Sequence, residues 1–143
     1  MNSLDKVEFF NLRCFPEDKG SLVPIEGNQD IPFPIKRSFY IYGVPTNIVR
    51  GQHAHIKTEQ ILICINGKCK IICKDEKDEV EFILDEPSKA VYVPNGIWGE
   101  EEYLTEDAIL LVYCSTKFLK SDYIRDFNKF VKWRVNNGKN GHS

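Results

Sequence analysis

The stretch IVRGQHAHIKTEQILICINGKCKIIC, residues 48–73, decides the fold class. It breaks into three short runs rich in Ile, Val and Cys: IVRGQHAHIK, QILICING and KCKIIC. Each has the length and composition of a β-strand. The Asn66-Gly67 pair between the second and third predicts a tight hairpin.

The same texture extends in both directions. VEFFNLR (7–13), SLVPIE (21–26) and IKRSFYIYG (35–43) come before it, and EVEFIL (79–84), KAVYVP (89–94) and DAILLVYCS (107–115) come after. Eight or nine short strands at this spacing predict an all-β antiparallel sandwich or small barrel. One helix is expected near the end, in SDYIRDFNKFVKW (121–133). There Ile124, Phe127 and Val131 recur at helical spacing, with Ser121 as cap and Asp122 in the first turn. Residues 134–143, RVNNGKNGHS, read as a polar, disordered tail holding His142 without a role. With no repeat or linker, residues 1–133 form a single domain.

The bulk numbers narrow the function classes. The chain has 143 residues, 42% of them hydrophobic, which suits one globular domain with a real core. Nineteen basic residues against 21 acidic ones give no general nucleic-acid footprint. No apolar run approaches the roughly 20 residues of a membrane span, and MNSLDKVEFF does not read as a secretory leader. Five cysteines without a C-x-x-C pair point to a reducing, cytoplasmic setting. Cys69 and Cys73 lack the second pair or nearby His that a zinc site needs.

His53 and His55 stand two apart on a strand, so they project from one face, and Lys57 would join them if the strand ran on. Beside Arg50, Glu59 and Gln60 they form a convergent polar cluster. Three readings are open: metal ligands, an acid–base pair, or a solvent-facing pair on an edge strand. His53, His55 and Glu59 could supply three ligands. A neutral imidazole could equally take a proton from carbon near neutral pH and return it elsewhere.

The pattern G-Q-H-A-H-x-x-x-E followed by Gly67 resembles the first motif of the cupin superfamily, whose members are antiparallel jelly-roll barrels. PNGIWG (94–99) is similar to the second motif, with Gly99 where metal cupins carry their fourth ligand, a His. More specifically, GSLVPIE, IPFPIKRSFYIYGV, RGQHAHIKTEQILICINGKCKI, VYVPNGIWGE and SDYIRDFNKFVKW resemble, in order, segments of the bacterial sugar 3,4-ketoisomerases. The resemblance runs from about residue 5 to Trp133.

What the resemblance implies is an enzyme acting on dTDP-4-keto-6-deoxyglucose, on the way to 3-amino sugars of surface polysaccharides. It implies a jelly-roll homodimer with exchanged N-terminal strands, and a proton shuttle by His53 and His55 without metal or other cofactor. His55 is preferred as the base. Arg50 and Arg37 would hold phosphate, and Lys57 phosphate or the developing oxyanion; the alternatives are an exposed strand charge for Arg50, a dimer ion pair for Arg37 and a solvated side chain for Lys57. Tyr40 and Tyr92 would donate to sugar or thymine, Trp98 would stack on a ring, and Gln60 would reach into the cavity; packing is the alternative for each. Two departures stand out: Gly99 replaces the family's His after Trp98, and Lys19 replaces Arg in the early turn motif. The competing readings are a nucleotide-sugar 3,5-epimerase, a non-catalytic sugar-binding cupin and a metal cupin.

Overall fold

The computed structural model describes residues 1–139. Twelve strands run in order as β1 (Glu8–Asn11), β2 (Phe15–Glu17), β3 (Gly20–Leu22), β4 (Arg37–Ile41), β5 (Val49–His55) and β6 (Gln60–Asn66). They continue as β7 (Cys69–Lys74), β8 (Glu79–Leu84), β9 (Lys89–Val93), β10 (Trp98–Tyr103), β11 (Ile109–Cys114) and β12 (Tyr123–Ile124), before helix α1 (Phe127–Lys139). Two five-stranded antiparallel sheets, β1-β9-β6-β11-β4 and β12-β5-β10-β7-β8, form a jelly-roll barrel, and β2 pairs only with β3. His142 lies outside the described residues.

Alternation builds the barrel interior. Cys69, Ile71 and Cys73 of β7 and Leu110, Val112 and Cys114 of β11 are buried in one core, joined by Leu62, Cys64 and Val91. β6 is apolar on both faces for a reason. Ile61 and Ile63 point the other way and are covered by Leu12, Ile31 and Phe33 of the N-terminal segment. All five cysteines are free.

The Asn66-Gly67 turn is tight but makes no hairpin. β6 lies between β9 and β11, whereas β7 lies between β10 and β8, so the turn carries the chain from one sheet to the other. Gly67 has φ +71°, and a Cβ there would lie 2.8 Å from Ala108 Cα and closer still to Thr105 Oγ1. Gly67→Ala is therefore expected to cost about 3 kcal/mol, from left-handed strain plus overpacking against backbone. That is a fall in Tm of roughly 10 °C, readable by calorimetry.

The C-terminal region departs from expectation at both ends. Ser121 and Asp122 belong to a short 3-10 turn and Tyr123–Ile124 to strand β12, which pairs with His55 and Ala54 of β5. The helix starts later, where Asp126 Oδ1 accepts the Lys129 N–H at 2.9 Å and caps it. At the far end, residues 134–139 are helical and not a frayed tail. Arg134 is buried, donating to Glu76 at 2.8 Å and to the carbonyls of Gly96 and Asn2. A buried cation with three such hydrogen bonds fastens the helix to the barrel.

Candidate active site

A cavity of about 210 Å³ opens inside the barrel, lined by Arg50, His53 and His55 of β5, Gly99 and Glu101 of β10, Gln60, Phe39, Tyr123 and Arg125, among others. β5 reaches it through a bulge. His53 pairs with Gly99 and Arg50 with Glu101, so three steps along β5 match two along β10. Gly51 (φ +88°) and Gln52 (φ +46°) absorb the extra residue. A regular strand would turn Arg50 outward; the bulge brings it to the cavity side with His53.

His55 is held at one ring nitrogen and unpartnered at the other. Its Nδ1 meets Asp122 Oδ2 at 2.8 Å. Asp122 also accepts from the Lys57 N–H at 2.6 Å and from Thr58 Oγ1, whose oxygen in turn contacts Thr116 Oγ1 at 2.6 Å. Burial alone would raise the Asp122 pKa, but hydrogen bonds from Thr58, His55 and Lys57 outweigh it and hold the carboxyl below its usual range. Burial drives the His55 pKa down to about 4 against the opposing pull of Asp122. The imidazole is therefore neutral beside an ionised carboxylate. Nδ1–H is the donor, and the lone pair is left on Nε2, which is buried without a hydrogen-bond partner.

His53 is set by a weaker version of the same device. Its Nδ1 lies 2.7 Å from the Gly51 carbonyl, and its pKa is lowered mainly by burial. The two imidazole rings meet edge to face with centroids 4.8 Å apart. Tyr123 packs on both, at 4.4 Å from His55 and 5.1 Å from His53. Arg37 Nη1 reaches the Tyr123 hydroxyl at 3.5 Å, and the Arg125 guanidinium lies over the Tyr123 ring. Two cations thus flank the histidines.

The remaining residues picked out by sequence divide by strand parity. Arg37 shares a face of β4 with Phe39 and Ile41, which line the cavity, and Gln60 and Arg50 line it as well. Tyr40 lies on the opposite face of β4, 64% exposed beside Tyr42. Tyr92 likewise points away, its hydroxyl donating to Glu59 at 2.6 Å. That bond also turns Glu59 from the histidines, and among the described residues no three His, Cys, Asp or Glu side chains converge as metal ligands. Trp98 is buried outside the cavity, under Phe127 and Phe130 of α1. Lys57 does not extend the histidine face, because β5 ends at His55 and the lysine side chain is exposed.

The sequence reading missed Asp122, Thr58, Tyr123, Arg125 and Glu101. SDYIR carried a signal, but its helical spacing hid the fact that Asp122 reaches back 67 residues to His55.

Comparison with known proteins places the chain in a family. A family model described as FdtA: WxcM-like, C-terminal matches residues 5–135. The TDP-4-oxo-6-deoxy-alpha-D-glucose-3,4-oxoisomerase of Aneurinibacillus thermoaerophilus is 38% identical over 133 residues, covering 92% of this chain and 96% of that protein. The crystal structure of QdtA, a sugar 3,4-ketoisomerase from Thermoanaerobacterium thermosaccharolyticum in complex with TDP, superposes with a TM-score of 0.90 at 37% identity. It covers 94% of this chain and 98% of that one. A histidine-to-asparagine mutant of the same enzyme, in complex with TDP-4-keto-6-deoxyglucose, gives a TM-score of 0.89 at 36% identity, covering 94% and 97%. Fold, family match and identity along nearly the whole length agree, and the chain belongs to the FdtA, WxcM-like family.

Proposed function

We propose that this protein is a 3,4-ketoisomerase of TDP-4-keto-6-deoxyglucose, moving the carbonyl from carbon 4 to carbon 3. The observation that carries the reading is the unpartnered His55 Nε2 in the cavity, backed at Nδ1 by ionised Asp122. The names of its relatives support the substrate. At about 210 Å³ the cavity is smaller than the 300–1,000 Å³ of most ligand pockets, so it takes the sugar ring and leaves the nucleotide at the mouth.

His55 Nε2 removes the proton from carbon 3, whose acidity comes from the neighbouring ketone. Arg37 and Arg125 stabilise the negative charge that develops on the substrate. The enediol is reprotonated at carbon 4, leaving the ketone at carbon 3 for later amination. His53 orients the sugar and shares in proton return. These steps use side chains alone, without metal or cofactor. The protein works in the cytoplasm, a setting its free cysteines favour, and no helix among the described residues is long and apolar enough to cross a membrane. It acts as a homodimer. Exposed Phe15 and Leu22 on the β2–β3 hairpin, which joins neither large sheet, make that hairpin the segment suited to exchange between subunits.

Proton NMR of TDP-4-keto-6-deoxyglucose incubated with the protein in deuterium oxide tests the reading. A 3-keto product carrying deuterium at carbon 4 is expected, with couplings that report its configuration. Exchange at carbons 3 and 5 would instead mean an epimerase, and binding without exchange would mean a non-catalytic sugar-binding protein.

A further inference from the structure

Glu101 is a buried carboxylate that lines the same cavity as the histidines and has no use in the scheme above. It is 8% exposed, points inward from β10, and lines the same cavity as His53 and His55. Its carboxylate lies against the Cα of Gly51, where a Cβ would come 2.5 Å from Oε2. The bulge in β5 therefore does two things at once: it makes room for this carboxylate and turns Arg50 toward it. Among the described residues it forms no ion pair; the Tyr103 hydroxyl and Arg50 are the neighbours that favour its charged form. Gly99, the next inward position on β10, leaves open space between Glu101 and the histidines, with nothing within 4 Å of where a Cβ would stand. A buried, unpaired acid facing an open pocket is costly unless something there uses it.

The isomerisation has an oxygen proton to move as well as a carbon proton. Carbon 3 starts as a carbinol and carbon 4 as a ketone; at the end the two are exchanged. The proton on the oxygen of carbon 3 must therefore leave, and the oxygen of carbon 4 must gain one. An imidazole that is holding the carbon proton cannot do this at the same time.

We infer that the Glu101 carboxyl carries the oxygen proton, passing it to the oxygen of carbon 4 and recovering one from the oxygen of carbon 3. This rests on the ketoisomerase reading above. In the first half, the C3–H bond breaks and His55 Nε2 takes that proton. The electron pair forms the C3=C4 double bond, the C4=O π pair moves to oxygen, and that oxygen takes the Glu101 proton. In the second half, the Glu101 carboxylate accepts the proton from the oxygen of carbon 3. The C3=O bond forms, and carbon 4 takes the proton from the imidazolium. Histidine and carboxylic acid are both restored, and no co-reactant is needed. A carboxyl suits the task because its two oxygens can face the two enediol oxygens as a parallel pair of hydrogen bonds.

The charge environment supports a protonated resting state. Burial raises the Glu101 pKa to about 7, with Arg50 of β5 pulling it down and Glu100 adding to the rise. Tyr103 and, from β7, Cys69 and Cys73 are the other titratable groups facing it, all neutral near pH 7. The acid form is the one required at the start, so turnover falls as pH rises through about 7.

The test compares wild type and Glu101→Gln with TDP-4-keto-6-deoxyglucose across pH 5.5 to 9. The expected result is a kcat lower by about 10²-fold with little change in KM, and loss of the alkaline limb near pH 7. Glu101→Met, which keeps the packing volume without a proton to give, should lose as much. A Glu101→Gln variant with wild-type kcat and the same alkaline limb would overturn the inference. If neither variant folds, the wild-type profile decides, and a kcat that does not fall through pH 7 overturns it. A wild type that does not isomerise this sugar would instead sink the ketoisomerase reading and take this inference with it.

Discussion

Replacing His55 by asparagine is expected to lower turnover of TDP-4-keto-6-deoxyglucose by at least ~10³-fold while leaving nucleotide-sugar binding close to that of wild type. The choice of asparagine matters. Its side-chain amide can stand where Nδ1–H stands and donate to Asp122 Oδ2, so the chain of bonds through Thr58 and Thr116 keeps its terminus. What disappears is Nε2, the ring nitrogen of His55 that has no hydrogen-bond partner. Single-turnover NMR would show substrate bound and carbon 3 unexchanged. Retention of more than a tenth of wild-type kcat would move the base elsewhere in the cavity. The same change at His53 is expected to cost less, because only a backbone carbonyl backs its Nδ1.

The wild-type pH profile gives a second reading of the same residue. The base must be neutral, and burial puts the His55 pKa at about 4. The acid limb of the rate is therefore expected well below the 6.5 of an ordinary histidine, because lowering the folded pKa extends the neutral form toward acid. A limb at 6.5 would place the essential base on a more exposed imidazole.

Much of the fold was legible because barrel strands announce themselves by alternation. β4, β6, β7, β8, β9 and β11 fall within runs rich in Ile, Val, Phe and Tyr that read as strands from composition alone. β10 did not, and its sequence explains why. WGEEEY carries three consecutive glutamates, which read as a solvated loop. Only one of them, Glu101, is buried, and it faces the cavity where an apolar residue would normally sit. The functional demand that makes Glu101 interesting also erased the strand signal. The Asn66-Gly67 turn failed differently. Local chemistry specified a tight reversal, but which strands pair afterwards depends on partners far along the chain.

The site shows the same division. His53 and His55 could be found because two-residue spacing on one strand is a local property. Their supports could not. Asp122 and Tyr123 come from a segment whose Ile124, Phe127 and Val131 repeat at helical spacing, yet its first half is pulled into a two-residue strand beside β5. Tyr40, Tyr92 and Trp98 were chosen for their chemistry, and parity placed all three side chains on the outer faces.

Asp122 provides the sharpest separation of positioning from bulk. Asp122→Asn is expected to cost up to ~10⁴-fold in kcat, an effect comparable to losing the base itself. The Lys57 N–H lies 2.6 Å from Oδ1 and accepts nothing, so it fixes the new carbonyl oxygen at that position. The amide nitrogen must then occupy the Oδ2 position, facing His55 Nδ1 and Thr58 Oγ1. From there it donates to Nδ1, which forces the ring proton onto Nε2 and removes the lone pair that receives the carbon 3 proton. Thr58 can reverse its hydroxyl and accept from the same amide, so the fold should survive with a loss of about 1–3 kcal/mol. A purely structural Asp122 would behave otherwise: Tm would fall while the folded fraction kept its kcat. Nitrogen-15 NMR of the imidazoles decides between the two accounts. A protonated Nδ1 in wild type and a protonated Nε2 in Asp122→Asn are expected, and an unchanged tautomer with low kcat would mean that the carboxylate acts by its charge on the imidazolium rather than by holding the ring.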